Sequence, residues 1–249
     1  MRAHPILSMA RFSQQSVLCT GGSGRLGTEL KKLLPKAQFP SSTSFNLTDH
    51  KQMERYIRAH RPSVIVHAAA FVSPPLIDKT PQKAIEVNII GTAVIAELCS
   101  RYKIKLVYIS TDYVFRGDKG NYKEDDLVFP MNKYAWSKLA GECAVRMLDD
   151  YLIIRTSFGE KVFPYEKAFV DQYTSRESVD EIAKKIVTVL KAGVSGVIHL
   201  GHRRRSVYQY AKALGGKKPI GKASITDVHF AVPKDASLNT ARYKKLFGS

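Results

Sequence analysis

The sequence predicts an α/β fold built on a doubly wound parallel sheet. Short β-branched or apolar runs alternate with longer stretches of helical period along the 249 residues, as expected when helices cover both faces of a parallel sheet. The strand-like runs, such as Val64–His67 and Lys105–Ser110, are apolar on both faces, as buried parallel strands require. The first of them leads directly into a glycine-rich turn that opens a helix.

Taken in order, Ser16–Thr20 reads as the first strand, and Leu26–Leu34 as the helix after it, with Leu26, Leu30, Leu33 and Leu34 as its apolar residues. Thr48–His60 reads as a helix capped by Thr48, and Val64–His67 as a strand. Pro81–Arg101 has the period of one long helix. Lys105–Ser110 is the next strand, Met131–Leu148 a helix and Tyr151–Arg155 another strand. Ser178-x-x-Glu181 has the form of a capping box that opens a helix over Val179–Ala192, stopped at Gly193. Val197–Leu200 reads as a late strand, so that six to seven strands are expected in all.

Composition narrows the function classes. At 44% hydrophobic and 24% charged residues, the chain has the balance of an ordinary globular protein. No apolar run approaches the roughly 20 residues of a membrane helix, and Met1–Gln15 has no hydrophobic stretch like a secretory signal, so the expected location is the cytoplasm. Cys19, Cys99 and Cys143 are far apart within strand- or helix-like segments and read as buried thiols, with no disulfide framework and no metal site. The formal charge of +17 attracts anions in general. The lysines are scattered, Lys217, Lys218, Lys244 and Lys245 among them, without the interleaved aromatics of a stacking platform. Nucleic acid is therefore not the expected partner, and phosphorylated small molecules are.

The glycine turn gives the first specific function. Thr20-Gly21-Gly22-Ser23-Gly24-Arg25-Leu26-Gly27 sits between strand and helix, the context in which a dinucleotide pyrophosphate meets a helix N-terminus in a Rossmann-type fold. Gly21 and Gly24 allow the tight turn, Gly27 lets helix pack on strand, and Ser23, Arg25 and Leu26 complete the cofactor-facing loop. An acidic residue at the end of the second strand would bind a ribose 2′-hydroxyl; here that place reads Pro40-Ser41-Ser42-Thr43. The missing carboxylate, with Arg25 nearby and Ser41 as a donor, favours NADP(H) over NAD(H). Asp49, a rival ribose ligand, more simply stabilises the first turn of its helix.

Tyr134 and Lys138 are four residues apart on one helix, where an ammonium helps a phenol give and take a proton. Spacing alone proves little, because 12 tyrosines among so many lysines yield such a pair by chance, and Tyr208/Lys212 is a second. Placement separates them: Tyr134 follows the strand that ends Ser110-Thr111-Asp112, at the carboxyl edge of the sheet where α/β ligands bind.

The blocks T-G-G-S-G-R-L-G at 20–27, F-N-L-T-D at 45–49, V-I-V-H-A-A-A at 64–70, V-N-I-I-G-T at 87–92, Y-I-S-T-D-Y-V-F at 108–115, Y-A-W-S-K-L-A-G-E at 134–142 and L-I-I-R-T-S at 152–157 together resemble the extended short-chain dehydrogenases, and within them the dTDP-4-dehydrorhamnose reductase group. The resemblance implies reduction of the 4-keto group of a nucleotide-linked 6-deoxyhexulose. In it Thr111 joins Tyr134 and Lys138 as the hydroxyl of a catalytic triad, and Lys138 also holds the nicotinamide ribose. It implies that Asn46 and Leu47 flank the adenine, that Ala68, Ala69 and Ala70 line the cofactor, and that Asn88 is a structural hydrogen-bonder. Substrate contacts are then expected from Phe71, Val72, Asp112 and Phe158. Arg203 and Arg205, in the basic loop after the late strand, are within reach of a substrate diphosphate. Dehydratases of the superfamily carry Asp-Glu after the threonine, whereas this chain has Asp112-Tyr113, so reduction is preferred to dehydration.

These readings divide the chain into an N-terminal extension at 1–15, an NADP-binding domain at 16–157 and, at 158–249, a mainly substrate-binding C-terminal region from which Val179–Leu200 is free to return to the main sheet. Two departures from the family bear on the sugar pocket: Val72-Ser73-Pro74-Pro75-Leu76 replaces an acidic stretch, and the segment from Ser157 to Asp171 is short. A non-catalytic cofactor-binding subunit, like the β subunit of methionine adenosyltransferase, and an epimerase–reductase are the alternatives. A homodimer is compatible with all three.

Overall fold

The computed structural model describes residues 12–215, 219–228 and 232–248. Most of the expected N-terminal extension, and Lys217 and Lys218, lie outside the described residues. Along the chain run β1 (Val17–Thr20), α1 (Arg25–Leu33), α2 (His50–His60), β2 (Val64–His67), α3 (Pro74–Lys79), α4 (Pro81–Ala84), α5 (Gly91–Tyr102), β3 (Lys105–Ile109), α6 (Lys133–Val145) and β4 (Tyr151–Thr156). Beyond them lie β5 (Phe158–Gly159), β6 (Lys167–Phe169), β7 (Tyr173–Thr174), β8 (Glu177–Ser178), α7 (Val179–Lys191), β9 (Gly196–Leu200), β10 (Arg205–Ser206), α8 (Val207–Leu214), β11 (Gly221–Ala223) and α9 (Ala241–Phe247).

The main sheet is parallel throughout, in the order β1-β2-β3-β4-β9. Alternate strand residues feed two cores. Val17, Cys19, Val107 and Ile154 meet Leu26 and Leu30 of α1, Ile182 and Ile186 of α7 and Tyr243 of α9 on one face. Leu18, Ile65, Leu106 and Ile153 meet Met53 and Ile57 of α2, Ile95 and Leu98 of α5 and Val145 of α6 on the other. Burial on both faces is why these strands read as continuous apolar runs. β9, more than 30 residues beyond the end of β4, completes the sheet at its edge.

Several expected boundaries move, each for a local reason. The sheet has five strands rather than six or seven, because the segment after α1 contributes only a bridge: Gln38 N–H donates to Val17 O at 2.8 Å, and Cys19 N–H to Gln38 O at 2.8 Å. Pro40, two residues beyond Gln38, has no N–H to extend the ladder. Asp49, not Thr48, caps α2 by accepting from Gln52 N–H at 2.9 Å, while Thr48 bonds Asn46 Oδ1. Pro81–Tyr102 is interrupted by a π-helical turn at Ile85–Ile90 that brings Asn88 inward, where its amide bonds both backbone groups of Phe71 and the Ser137 hydroxyl. Asn132 caps α6 through Ala135 N–H, so the helix starts at Lys133 and not at Met131. Ser178 makes no cap hydrogen bond, its hydroxyl being engaged by Asp180. Cys19 and Cys99 are buried, with thiols pushed up to about 12 by desolvation, but Cys143 faces outward on α6 and is exposed.

The short strands pair two by two, β5 with β8, β6 with β11 and β7 with β10. With α8 they enclose a small cluster of Phe163, Ala168, Val207, Tyr210 and Ala211 beside the carboxyl edge of the sheet. Among the described residues no helix is long and apolar enough to cross a membrane, and no group of side chains has the makings of a metal site.

Candidate active site

The strand order places a topological switch beside β1, since the Gln38 segment lies on one side of it and β2 on the other. Ligands of open α/β sheets bind in the crevice above such a point. There Gly21 adopts φ +75°, and a side chain on it would meet Ala69 N at 2.8 Å. A Cβ on Gly27 would overlap the Gly21 carbonyl and approach Gly22 Cα at 2.6 Å. The turn is therefore a cradle that only glycine leaves open, with Gly24 as the N-cap of α1, and its shape and exposed helix N–H groups fit a dinucleotide pyrophosphate.

Two adjoining cavities share Gly21, Gly24, Ala68 and Ala70. The larger, about 650 Å³, is walled by Ser23, Ser41, Asn46, Leu47 and Ala69, all expected to face the cofactor, and by Lys31, Phe39, Ser42 and Phe45. Among the described residues no carboxylate lines it. Arg25 and Leu26 fall instead in the smaller cavity, about 360 Å³, where Arg25 lies 3.6 Å from Glu160. The basic group in the cavity with Ser41 is thus Lys31, one helical turn beyond Gly27 on the same face; that spacing was the available signal for it.

The smaller cavity gathers Thr111, Tyr134 and Lys138 with Val72, Asp112 and Phe158. Its remaining walls include Pro74, Tyr113, Thr156, Ser157 and Arg176; the first four stand in segments quoted from the sequence without a binding role given to them, and Arg176 stands in none. Phe71 stands outside, tied through its backbone to Asn88 and covered by Lys83 at 5.0 Å. Arg203 does not line it either, and Arg205 is turned away to donate to Arg176 O at 2.9 Å and to stack on Tyr210 at 5.0 Å. The third arginine of that run, Arg204, pairs with Asp235 at 2.6 Å.

Thr111 continues from β3, where its hydroxyl accepts from Tyr113 N–H at 3.2 Å, donates to Asp112 Oδ1 at 3.1 Å and contacts the Tyr134 hydroxyl. Burial, reinforced by the Asp112 charge, pushes the Tyr134 phenol well above its ordinary value, against the Thr111 hydrogen bond. Burial lowers Lys138 to about 7, opposed by Glu142 one turn further along α6. The ammonium lies 4.1 Å from the ring centroid of Tyr108 rather than on the Tyr134 hydroxyl, a cation–π contact beneath the cavity. Asp112 is raised to about 6 by burial, with Arg176, Thr111 and Ser157 pulling it back. Arg176 reaches this corner from the turn between β7 and β8 and donates from Nε to Ser157 Oγ at 3.2 Å. Nothing in local periodicity marks a turn arginine for such a place.

Behind the cavity, Glu142 is fully buried and receives Arg155 Nε at 3.0 Å, Arg155 Nη2 at 2.8 Å and Ser110 Oγ at 2.6 Å. This forked pair fixes α6 against β4 and β3, and with it the height of Lys138 above the sheet.

Residues 15–247 match the model of the RmlD substrate binding domain family. The chain belongs to that family. A dTDP-4-keto-6-deoxy-D-glucose reductase of Streptomyces niveus is 32% identical over 204 residues, covering 73% of this chain and 71% of the relative. Methionine adenosyltransferase 2 subunit beta of Rattus norvegicus is 33% identical over 140 residues, covering 52% of this chain and 42% of the relative. Among solved structures, a dTDP-4-dehydrorhamnose reductase of Bacillus anthracis in complex with NADP superimposes with a TM-score of 0.83 at 28% identity, over 93% of this chain and 92% of the other. The RmlD family match spans both cavities and the short-stranded region beside them.

Proposed function

We propose that this protein reduces the 4-keto group of a nucleotide-linked 6-deoxyhexulose with NADPH. The observation that carries the proposal is the convergence of Thr111, Tyr134 and Lys138 on one cavity that opens onto the glycine cradle. Bound NADPH supplies the hydride. Thr111 hydrogen-bonds the sugar ketone, Tyr134 delivers the proton to the ketone oxygen, and Lys138 in its ammonium form favours the phenolate left behind. Asp112 and Arg176, an acceptor and a donor next to the reacting carbonyl, fit hydroxyl groups on the same sugar ring. The absence of a carboxylate around Ser41 and Ser42, with Lys31 beside them, supports NADP(H) over NAD(H).

The test follows NADPH absorbance with dTDP- and UDP-linked 4-keto-6-deoxyhexoses. Tyr134→Phe is expected to lower kcat by about 10²–10⁴-fold with NADPH binding retained. A folded, NADPH-binding wild type that turns over none of these sugars refutes the proposal. The likeness to the methionine adenosyltransferase subunit favours a second reading, a cofactor-binding regulatory subunit, and stable co-purification with a synthetase in the absence of turnover supports it.

A further inference from the structure

A chain of buried polar side chains crosses the sheet from the glycine cradle to the helix that carries Lys138. Thr20, His67, Thr92 and Tyr108 come from β1, β2, α5 and β3, and each is at most 3% exposed. His67 Nδ1 lies 2.8 Å from Thr20 Oγ1, and His67 Nε2 lies 3.0 Å from Thr92 Oγ1. Thr20 Oγ1 also accepts from Ala69 N–H at 3.1 Å. At the other end Thr92 acts on the Tyr108 hydroxyl, which donates to Lys138 O at 3.2 Å. The Tyr108 ring is the surface on which the Lys138 ammonium rests, and Gly141 leaves the room its hydroxyl needs, since a Cβ there would overlap it.

Proton counting selects one arrangement. The Thr20 oxygen accepts from Ala69 N–H, so its own proton goes to His67 Nδ1; the ring proton is then on Nε2 and goes to Thr92 Oγ1, which leaves the Thr92 proton to turn toward Tyr108, whose own proton goes to Lys138 O. His67 Nδ1 carries no proton and accepts from the Thr20 hydroxyl, whose oxygen accepts from Ala69. The opposite tautomer would turn Thr92 toward His67, set its lone pairs against those of Tyr108 and strand a buried group. An imidazolium would leave the Thr20 proton without an acceptor. Burial, with Lys138 adding repulsion, holds the ring neutral by lowering it to about 3.

We infer that His67 is a positioning residue: as the neutral Nε2–H tautomer it fixes Thr92 and Tyr108 beneath Lys138 and ties the catalytic helix to the cofactor-facing backbone at Ala69. The inference rests on the reductase reading for the role of Lys138, but the hydrogen-bond chain has a test that needs no substrate. Long-range ¹H–¹⁵N correlation of histidine-labelled protein, with the His67 signals assigned by their loss in His67→Gln, is expected to give a neutral Nε2–H pattern that does not titrate between about pH 5 and 8, where an ordinary histidine would. An Nδ1–H pattern, or titration in that range, overturns the inference.

Kinetics tests the positioning itself. Thr92→Val, nearly isosteric, and His67→Leu are expected to lower kcat about tenfold while NADPH affinity, read by nucleotide fluorescence, stays within about threefold. His67→Gln, which keeps a donor and an acceptor, is expected to recover most of the loss, and Tyr108→Phe, which keeps the ring under Lys138, to lose less than Tyr108→Leu. Wild-type kcat in a folded Thr92→Val protein overturns the inference, as does a loss confined to NADPH affinity. Should wild type itself turn over no sugar, the reductase reading fails while the tautomer measurement still decides whether the chain is built as described.

Discussion

Replacing Glu142 with glutamine isolates the buried ion pair behind the candidate active site. Arg155 is 2% exposed and Glu142 not at all, so the substitution leaves a guanidinium in the core without its counter-charge. Breaking such a pair typically costs about 3–5 kcal/mol, because the stranded charge has lost its water as well as its partner. For a chain of this size each kcal/mol lowers the melting temperature by about 2–4 °C, so a fall of roughly 6–20 °C is expected from thermal unfolding followed by circular dichroism. The double substitution Glu142→Leu with Arg155→Met separates charge from volume: apolar residues of similar size recover most of the stability. A remainder of about 1–3 kcal/mol persists, because the Ser110 hydroxyl has lost its acceptor. Activity does not recover in parallel, since Glu142 is the group that opposes the loss of charge on Lys138. The double variant is therefore expected to melt above Glu142→Gln but about 2–12 °C below wild type, and its kcat/KM to fall away at lower pH than that of wild type. A Glu142→Gln protein melting within about 2 °C of wild type, or a double variant no more stable than the single, would refute the reasoning.

Lys138 itself sets a pH window: its folded value of about 7 lies below the unfolded 10.5, so the ammonium is lost as pH rises through 7, and kcat/KM is expected to fall about tenfold per unit above it. A profile flat to pH 9 contradicts this. In the same window the unfolded chain binds more protons than the folded one, so stability rises with pH from about 7 to 10.5; Lys138→Met should abolish that rise in urea titrations. Lys31→Ala is expected to weaken NADPH about 10–100-fold, the worth of one charge-assisted hydrogen bond, with NADH affinity unchanged; equal losses for both cofactors would move the 2′-phosphate elsewhere. Gly27→Ala should abolish cofactor binding measured by fluorescence, because its methyl would sit on the Gly21 carbonyl.

What the sequence made legible follows from the range over which each signal acts. Strand runs and the glycine turn are local patterns, and the parallel sheet with its carboxyl-edge site follows from them. The cap that moved from Thr48 to Asp49 turned on which of two neighbouring polar residues reached a helix N–H, and the start that moved from Met131 to Lys133 turned on Asn132 taking the cap, contests that composition leaves open. The basic run at 203–205 looked like a phosphate site because three arginines are adjacent. In the fold Arg204 is claimed by Asp235 and Arg205 by the backbone of Arg176, while of the two arginines that line the cavity, Arg25 and Arg176, the second comes from an unremarkable turn. His67, Tyr108, Arg155 and Glu142 were hidden for a different reason. Each sits at a core position of a regular strand or helix, where periodicity registers only an interior place. Their partners lie 13 to 47 residues away in the chain. A polar group inside an apolar run costs stability unless something distant satisfies it. Such a residue therefore reports a tertiary contact before the contact is known, and the polar letters within V-I-V-H, K-L-V-Y-I-S and L-I-I-R-T-S are where the supports of the helix that carries Tyr134 and Lys138 were already written.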